Sequence, residues 1–64
     1  MILIREEKEV LRKVYDSDHR MTFSGDNYKH ATRLAERGLL VAGRYATFEP
    51  STDKMMLIEE LLSE

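Results

Sequence analysis

Ile4, Leu11 and Tyr15, with Val10 and Val14 beside them, fall on one side of a helix at about 100° per residue. The spacing predicts an amphipathic helix over residues 4–16. Its other side, Arg5, Glu6, Lys8, Glu9, Arg12, Lys13 and Asp16, pairs opposite charges three or four apart, such as Glu9 with Lys13, and reads as a solvated face. Glu7 is the exception, an acid within the apolar arc. A half-exposed first turn, where the helix dipole favours a carboxylate, is its expected place.

Asp16-Ser17-Asp18-His19 is turn-forming, and Met21-Thr22-Phe23 alternates as a short strand with Met21 and Phe23 on one face. Ser24 or Asp26 then serves as N-cap of a second helix over residues 26–37, whose narrow apolar arc is Tyr28, Ala31, Leu34 and Ala35. Gly38 suits the left-handed C′ position, with Leu39 packing back on Leu34 in a Schellman-type ending. Two strands, 39–41 and 45–48, flank Gly43-Arg44, a type II′ pattern that predicts a two-stranded hairpin with Arg44 at its tip. Glu49-Pro50-Ser51-Thr52-Asp53 breaks the second strand and caps a third helix over 53–63, with Ser51 or Thr52 as N-cap and Asp53 in its first turn. Met55, Leu57, Ile58, Leu61 and Leu62 span an arc of about 160° there, and Met56 lies outside it. An arc that wide either closes the core or packs on a second copy.

A chain of 64 residues predicts one domain, near the lower size at which one core sustains a fold. Cysteine is absent, so neither disulfides nor thiolate zinc can add stability. At ~0.05 to 0.15 kcal/mol per residue the fold would hold roughly 3 to 10 kcal/mol, and a homodimer that buries a further apolar face would help it. No apolar run approaches the ~18 residues of a membrane span, and Met1-Ile2-Leu3-Ile4 is too short for a signal peptide, so the cytoplasm is the expected location. The net charge of −2 is unevenly spread. Residues 1–18 carry four basic and five acidic groups, 19–45 five and two, and 46–64 one and five. The basic surplus lies on the second helix and the hairpin, which makes a local anion-binding face compatible with an acidic whole.

Catalysis finds little support in these residues. His19 and His30 do not make a metal pair on one helix, and no cofactor site is expected. Asp16-Ser17-Asp18 opens like a calcium loop, but Arg20 takes the next ligand position and no glycine follows at the sixth. Gly25-Asp26-Asn27-Tyr28-Lys29 lacks the second glycine and the Lys-Ser/Thr pair of a phosphate-binding loop, and Ser24-Gly25-Asp26 is not a nucleophile elbow. The second helix is more informative, since Lys29, Arg33 and Arg37 recur at four-residue steps with His30 alongside. Like charges so spaced destabilise a helix by ~0.2 to 0.5 kcal/mol per pair, which suggests another use for them. Phosphate contact is the obvious one, and Asn27 near the helix start could pair with adenine.

Ala31-Thr-Arg-Leu-Ala-Glu-Arg-Gly-Leu-Leu40 followed by Arg44-Tyr-Ala-Thr-Phe48 resembles the recognition helix and wing of winged helix-turn-helix proteins, where a helix ends in a Leu-x-x-Lys/Arg-Gly-Leu step and runs into a hairpin. With the first helix and the short strand, the likeness covers most of the chain. That family places another helix where this chain has only Ser17 to Gly25, so the resemblance implies a trimmed α+β winged-helix-like domain over residues 1–64. It also implies a small DNA-binding protein, a transcriptional regulator in type, that uses Asn27, Lys29, His30, Arg33, Arg37 and Arg44, with Arg20 assisting. Homodimerisation would run through Met55, Leu57, Ile58, Leu61 and Leu62. The alternative is a protein-interaction module, a small inhibitor or adaptor docking the same apolar helix on a partner.

Overall fold

The computed structural model describes residues 2–17 and 21–63. Helix α1 (Arg5–Asp16), strand β1 (Met21–Thr22), helix α2 (Asp26–Glu36), strands β2 (Leu40–Ala42) and β3 (Thr47–Pro50) and helix α3 (Met55–Leu62) follow in that order. The strands form an antiparallel sheet in the order β1-β3-β2. This is an α+β domain with three helices and a three-stranded sheet.

Helix α1 is the hub, packing on α2, α3 and β3. Its Val10, Leu11 and Val14 are buried as the apolar arc requires, together with Ala31 and Leu34 of α2, Leu40 and Phe48 of the sheet, and Ile58, Leu61 and Leu62 of α3. Two polar ties fasten α1 to α3. Arg12 Nη2 donates to the Leu62 carbonyl at 2.7 Å, a cation on a helix C-terminus. The Tyr15 hydroxyl donates to the Glu59 carboxylate, which holds the phenol pKa above its ordinary 10 because ionisation would break the bond and set two anions together. With a raised folded-state pKa, this tie is intact below pH 10 and is lost as pH rises through the raised value.

The α2 ending follows the expected pattern. The Gly38 N–H donates to Ala35 and the Leu39 N–H to Leu34, both at 3.0 Å, with Gly38 at φ +83°. These are the two bonds of a Schellman motif, and Leu34 and Leu39, both fully buried, make its hydrophobic contact. The start differs from expectation. Neither Ser24 nor Asp26 caps it; Gly25 does, at φ +63° and ψ −137°, a backbone region open to glycine, and its carbonyl takes the Tyr28 and Lys29 N–H groups. Tyr28, expected inward, is 44% exposed, because its ring meets Phe48 edge-on at 5.9 Å from the rim of the core.

The hairpin also differs. Gly43 is extended at φ −117°, so no type II′ turn forms at Gly43-Arg44. The Gly43 N–H instead closes on the Thr47 carbonyl at 2.8 Å around the three-residue loop Arg44–Ala46. Tyr45 therefore belongs to the loop, and the strands shift to 40–42 and 47–50. Bonded pairs at Gly43/Thr47 and Leu39/Ser51 make Leu40/Pro50 a non-hydrogen-bonded pair, so the missing proline N–H takes nothing from the β2–β3 ladder. The third helix starts later than expected, at Met55 after a 3-10 turn over Thr52–Lys54. Of the two expected caps, Ser51 precedes that turn without a side-chain cap bond and Thr52 lies inside it, while Lys54 stands before α3 and forms none. No helix of the described residues is long and apolar enough to cross a membrane.

Backbone conformation gives opposite signs at two positions. Gly38→Ala meets no atom within 4 Å but must hold φ +83°, so unfolding by urea should show a loss of about 1 kcal/mol. Ala46→Gly, at φ +58°, should be neutral or stabilising by up to about 1 kcal/mol. A clear loss at Ala46 would contradict this account of the loop.

Candidate nucleic-acid interface

The expected stripe on α2 is present, but its three cations differ in environment. Lys29 is exposed and makes no ion pair among the described residues. Arg33 and Arg37 both approach Glu7 of α1: Arg37 Nη1 donates to Oε1 at 3.2 Å, and Arg33 Nε lies 3.7 Å from Oε2. The Arg33 side chain stays 62% exposed and that of Arg37 34%, while Glu7 is 1% exposed. Arg37 also reaches the Ile2 carbonyl at 3.4 Å.

Glu7 corrects the expectation of a half-exposed first-turn acid. Its place within the apolar arc carries it into the α1–α2 contact, where it is the one charged side chain buried among the described residues. An unpaired carboxylate there would be costly by several kcal/mol. Two donors offset that penalty, Arg37 and the Ile4 N–H, which reaches Oε1 at 3.2 Å and is otherwise an orphan of the helix start, and Arg33 adds an ion pair. The same carboxylate relieves the repulsion between Arg33 and Arg37.

Other expected contacts fall in several places. Asn27 is exposed at the start of α2, and Arg44 is exposed in the hairpin loop. His30 is not on the open stripe: it is half-buried, and its Nδ1 is shielded from solvent with no hydrogen-bond partner among the described residues. One turn before buried Leu34, it sits at the edge of the core-facing side rather than on the outer one. Asp18, His19 and Arg20 lie outside the described residues. Among the described residues no cluster of three or more His, Asp or Glu could hold a metal ion.

Beside the stripe runs a cleft of about 320 Å³, in which Tyr28, Thr32 and Glu36 of α2 face Ala42, Gly43 and Ala46 of the hairpin. Tyr28, Thr32 and Glu36 also border the open surface of Lys29 and Arg33, so cationic face and hairpin share a rim. Glu36 adds an acid beside Arg33 and Arg37. The apolar arc of α3 is used mainly inside the chain. Ile58, Leu61 and Leu62 belong to its own core, which removes them from the expected dimer or partner face, since a side chain packed there offers little to a second surface. Met55 and Leu57 are half-buried, and Met56 is 79% exposed.

A double-mutant cycle tests the Glu7 cluster. Arg37→Ala should cost about 1 to 3 kcal/mol by leaving the carboxylate short of a donor, whereas Lys29→Ala should stay within about 0.5 kcal/mol. Glu7→Gln should recover part of the Arg37→Ala loss, and strict additivity of the two changes would contradict the coupling.

In comparisons with known proteins, no family model, no curated protein and no solved structure matches this chain.

Proposed function

We propose that this chain is a small double-stranded DNA-binding protein with a trimmed winged-helix layout, serving as a transcriptional regulator. The exposed cationic side of α2, set beside a hairpin that starts directly from its glycine ending, is the observation that carries the reading. The order helix, strand, helix, hairpin supports it, because it is compatible with a winged-helix layout without its middle helix.

The environments of the cations divide their roles. Arg37, the less exposed and doubly bonded to Glu7 and Ile2, acts chiefly in the fold. Lys29, the open side of Arg33 and Arg44 are the phosphate contacts, with Asn27 near the helix start available to a base edge. Three contacts make a small footprint, so a second copy would extend it. On α3 the exposed Met56 and the open sides of half-buried Met55 and Leu57 are the surface for that copy. The large exposure of Met56 there also favours a second reading, a protein-interaction module that uses this strip as an inhibitor or adaptor.

Titration of a labelled duplex at two salt concentrations tests the first reading. Three neutralised phosphates predict that affinity falls about 40-fold between roughly 50 and 200 mM salt. Joint replacement of Lys29, Arg33 and Arg44 by alanine should abolish binding, and Arg37→Ala should leave the salt slope nearly unchanged. Absence of duplex binding at the lower salt would overturn the reading and leave the protein-interaction module.

A further inference from the structure

The hairpin tip holds two consecutive non-glycine residues in the left-handed region, Tyr45 at φ 59°, ψ 41° and Ala46 at φ 58°. The fold gives a reason for the second. The Ala46 carbonyl accepts the Phe23 N–H at 3.3 Å, which carries the β1–β3 pairing one step further. Tyr45 has no comparable role. Its side chain is 89% exposed and makes no hydrogen bond or ring contact among the described residues.

The loop is closed without help from that ring. The Gly43 N–H bonds the Thr47 carbonyl at 2.8 Å, and both the Thr47 N–H and its Oγ1 return to the Arg44 carbonyl, the hydroxyl at 2.6 Å. Glycine or asparagine would satisfy a left-handed position at lower conformational cost than tyrosine. A strained residue that its surroundings hold in place, and whose side chain the fold does not use, points to a function for the side chain.

We propose that Tyr45 is a nucleic-acid contact, its ring packing on a deoxyribose of the bound duplex while the adjacent Arg44 holds a phosphate; the inference rests on the DNA-binding reading above. Aromatic packing on the sugar tolerates sequence, since every nucleotide presents the same deoxyribose, and it adds affinity without changing the number of phosphates neutralised. Arg44 and Tyr45 are neighbours on one exposed tip, so the charge and the ring reach the same nucleotide region.

The test compares the wild type, Tyr45→Gly and Tyr45→Phe in melting temperature and in affinity for a labelled duplex at two salt concentrations. Tyr45→Gly should melt no lower than the wild type, yet bind about tenfold more weakly with the same salt slope. Tyr45→Phe should bind like the wild type. Unchanged binding by Tyr45→Gly would overturn the contact and leave the DNA-binding reading standing. A lowered melting temperature would make the ring part of the fold and overturn the proposal too. Loss of affinity in Tyr45→Phe equal to that in Tyr45→Gly would assign the hydroxyl rather than the ring and overturn the packing. A wild type that binds no duplex overturns both proposals together.

Discussion

The carboxylate of Glu7 between α1 and α2 constrains most of what lies around it. It is a buried charge in a core otherwise built from aliphatic and aromatic groups, and its penalty falls only if the donors stay within reach. Arg37 donates a hydrogen bond and Arg33 adds an ion pair from consecutive turns of α2, and both reach the carboxylate only when α2 is turned to one angle about its axis. That angle puts Ala31 and Leu34 into the core, leaves Lys29 in solvent and aims Tyr28, Thr32 and Glu36 at the hairpin. A winged-helix reader has a further helix to set the attitude of its recognition helix. In the DNA-binding reading proposed above, the ion-pair cluster would do that work, since only Ser17 to Gly25 separate the two helices.

The rest of the positioning comes from the end of α2. Gly38 reverses the chain in two hydrogen bonds, and the contact of Leu34 with Leu39 fixes where β2 must start. Since β3 lies between β1 and β2, the hairpin is anchored to β1 through β3 while β2 forms the sheet edge, and its tip projects beside the cationic side of α2. Helix α3 closes the remaining side of α1 through Ile58, Leu61 and Leu62, with Arg12 on its last carbonyls. For so small a core each large aliphatic side chain is a sizeable part of the stability, which is why α3 has only a narrow strip left for any partner.

Periodicity made the helices legible, and the glycine ending of α2 was readable down to its two leucines because a Schellman motif is local in sequence. Features that depend on distant residues were not. The hairpin turn shifted because closure between Gly43 and Thr47 decided it, and the sequence around Gly43-Arg44 carries no sign of that bond. The burial of Glu7 was half visible. An acid in the apolar arc of one helix and an excess of like charge on one side of another are complementary anomalies, and taken together they would have paired Glu7 with Arg33 and Arg37. His30 was misplaced because it falls on the boundary between the two sides of α2, where neighbours rather than period decide burial. Tyr45, read as a strand residue, gave no local signal of its left-handed backbone.

Nuclear magnetic resonance of the arginine guanidinium groups tests the Glu7 cluster most directly. Arg37 should show hindered rotation about Nε–Cζ and slow exchange of its side-chain hydrogens, in contrast to exposed Arg5, and Glu7→Gln should weaken both signatures. Rotation and exchange at Arg37 as fast as at Arg5 in the wild type would contradict the claim that Glu7 holds α2 in place.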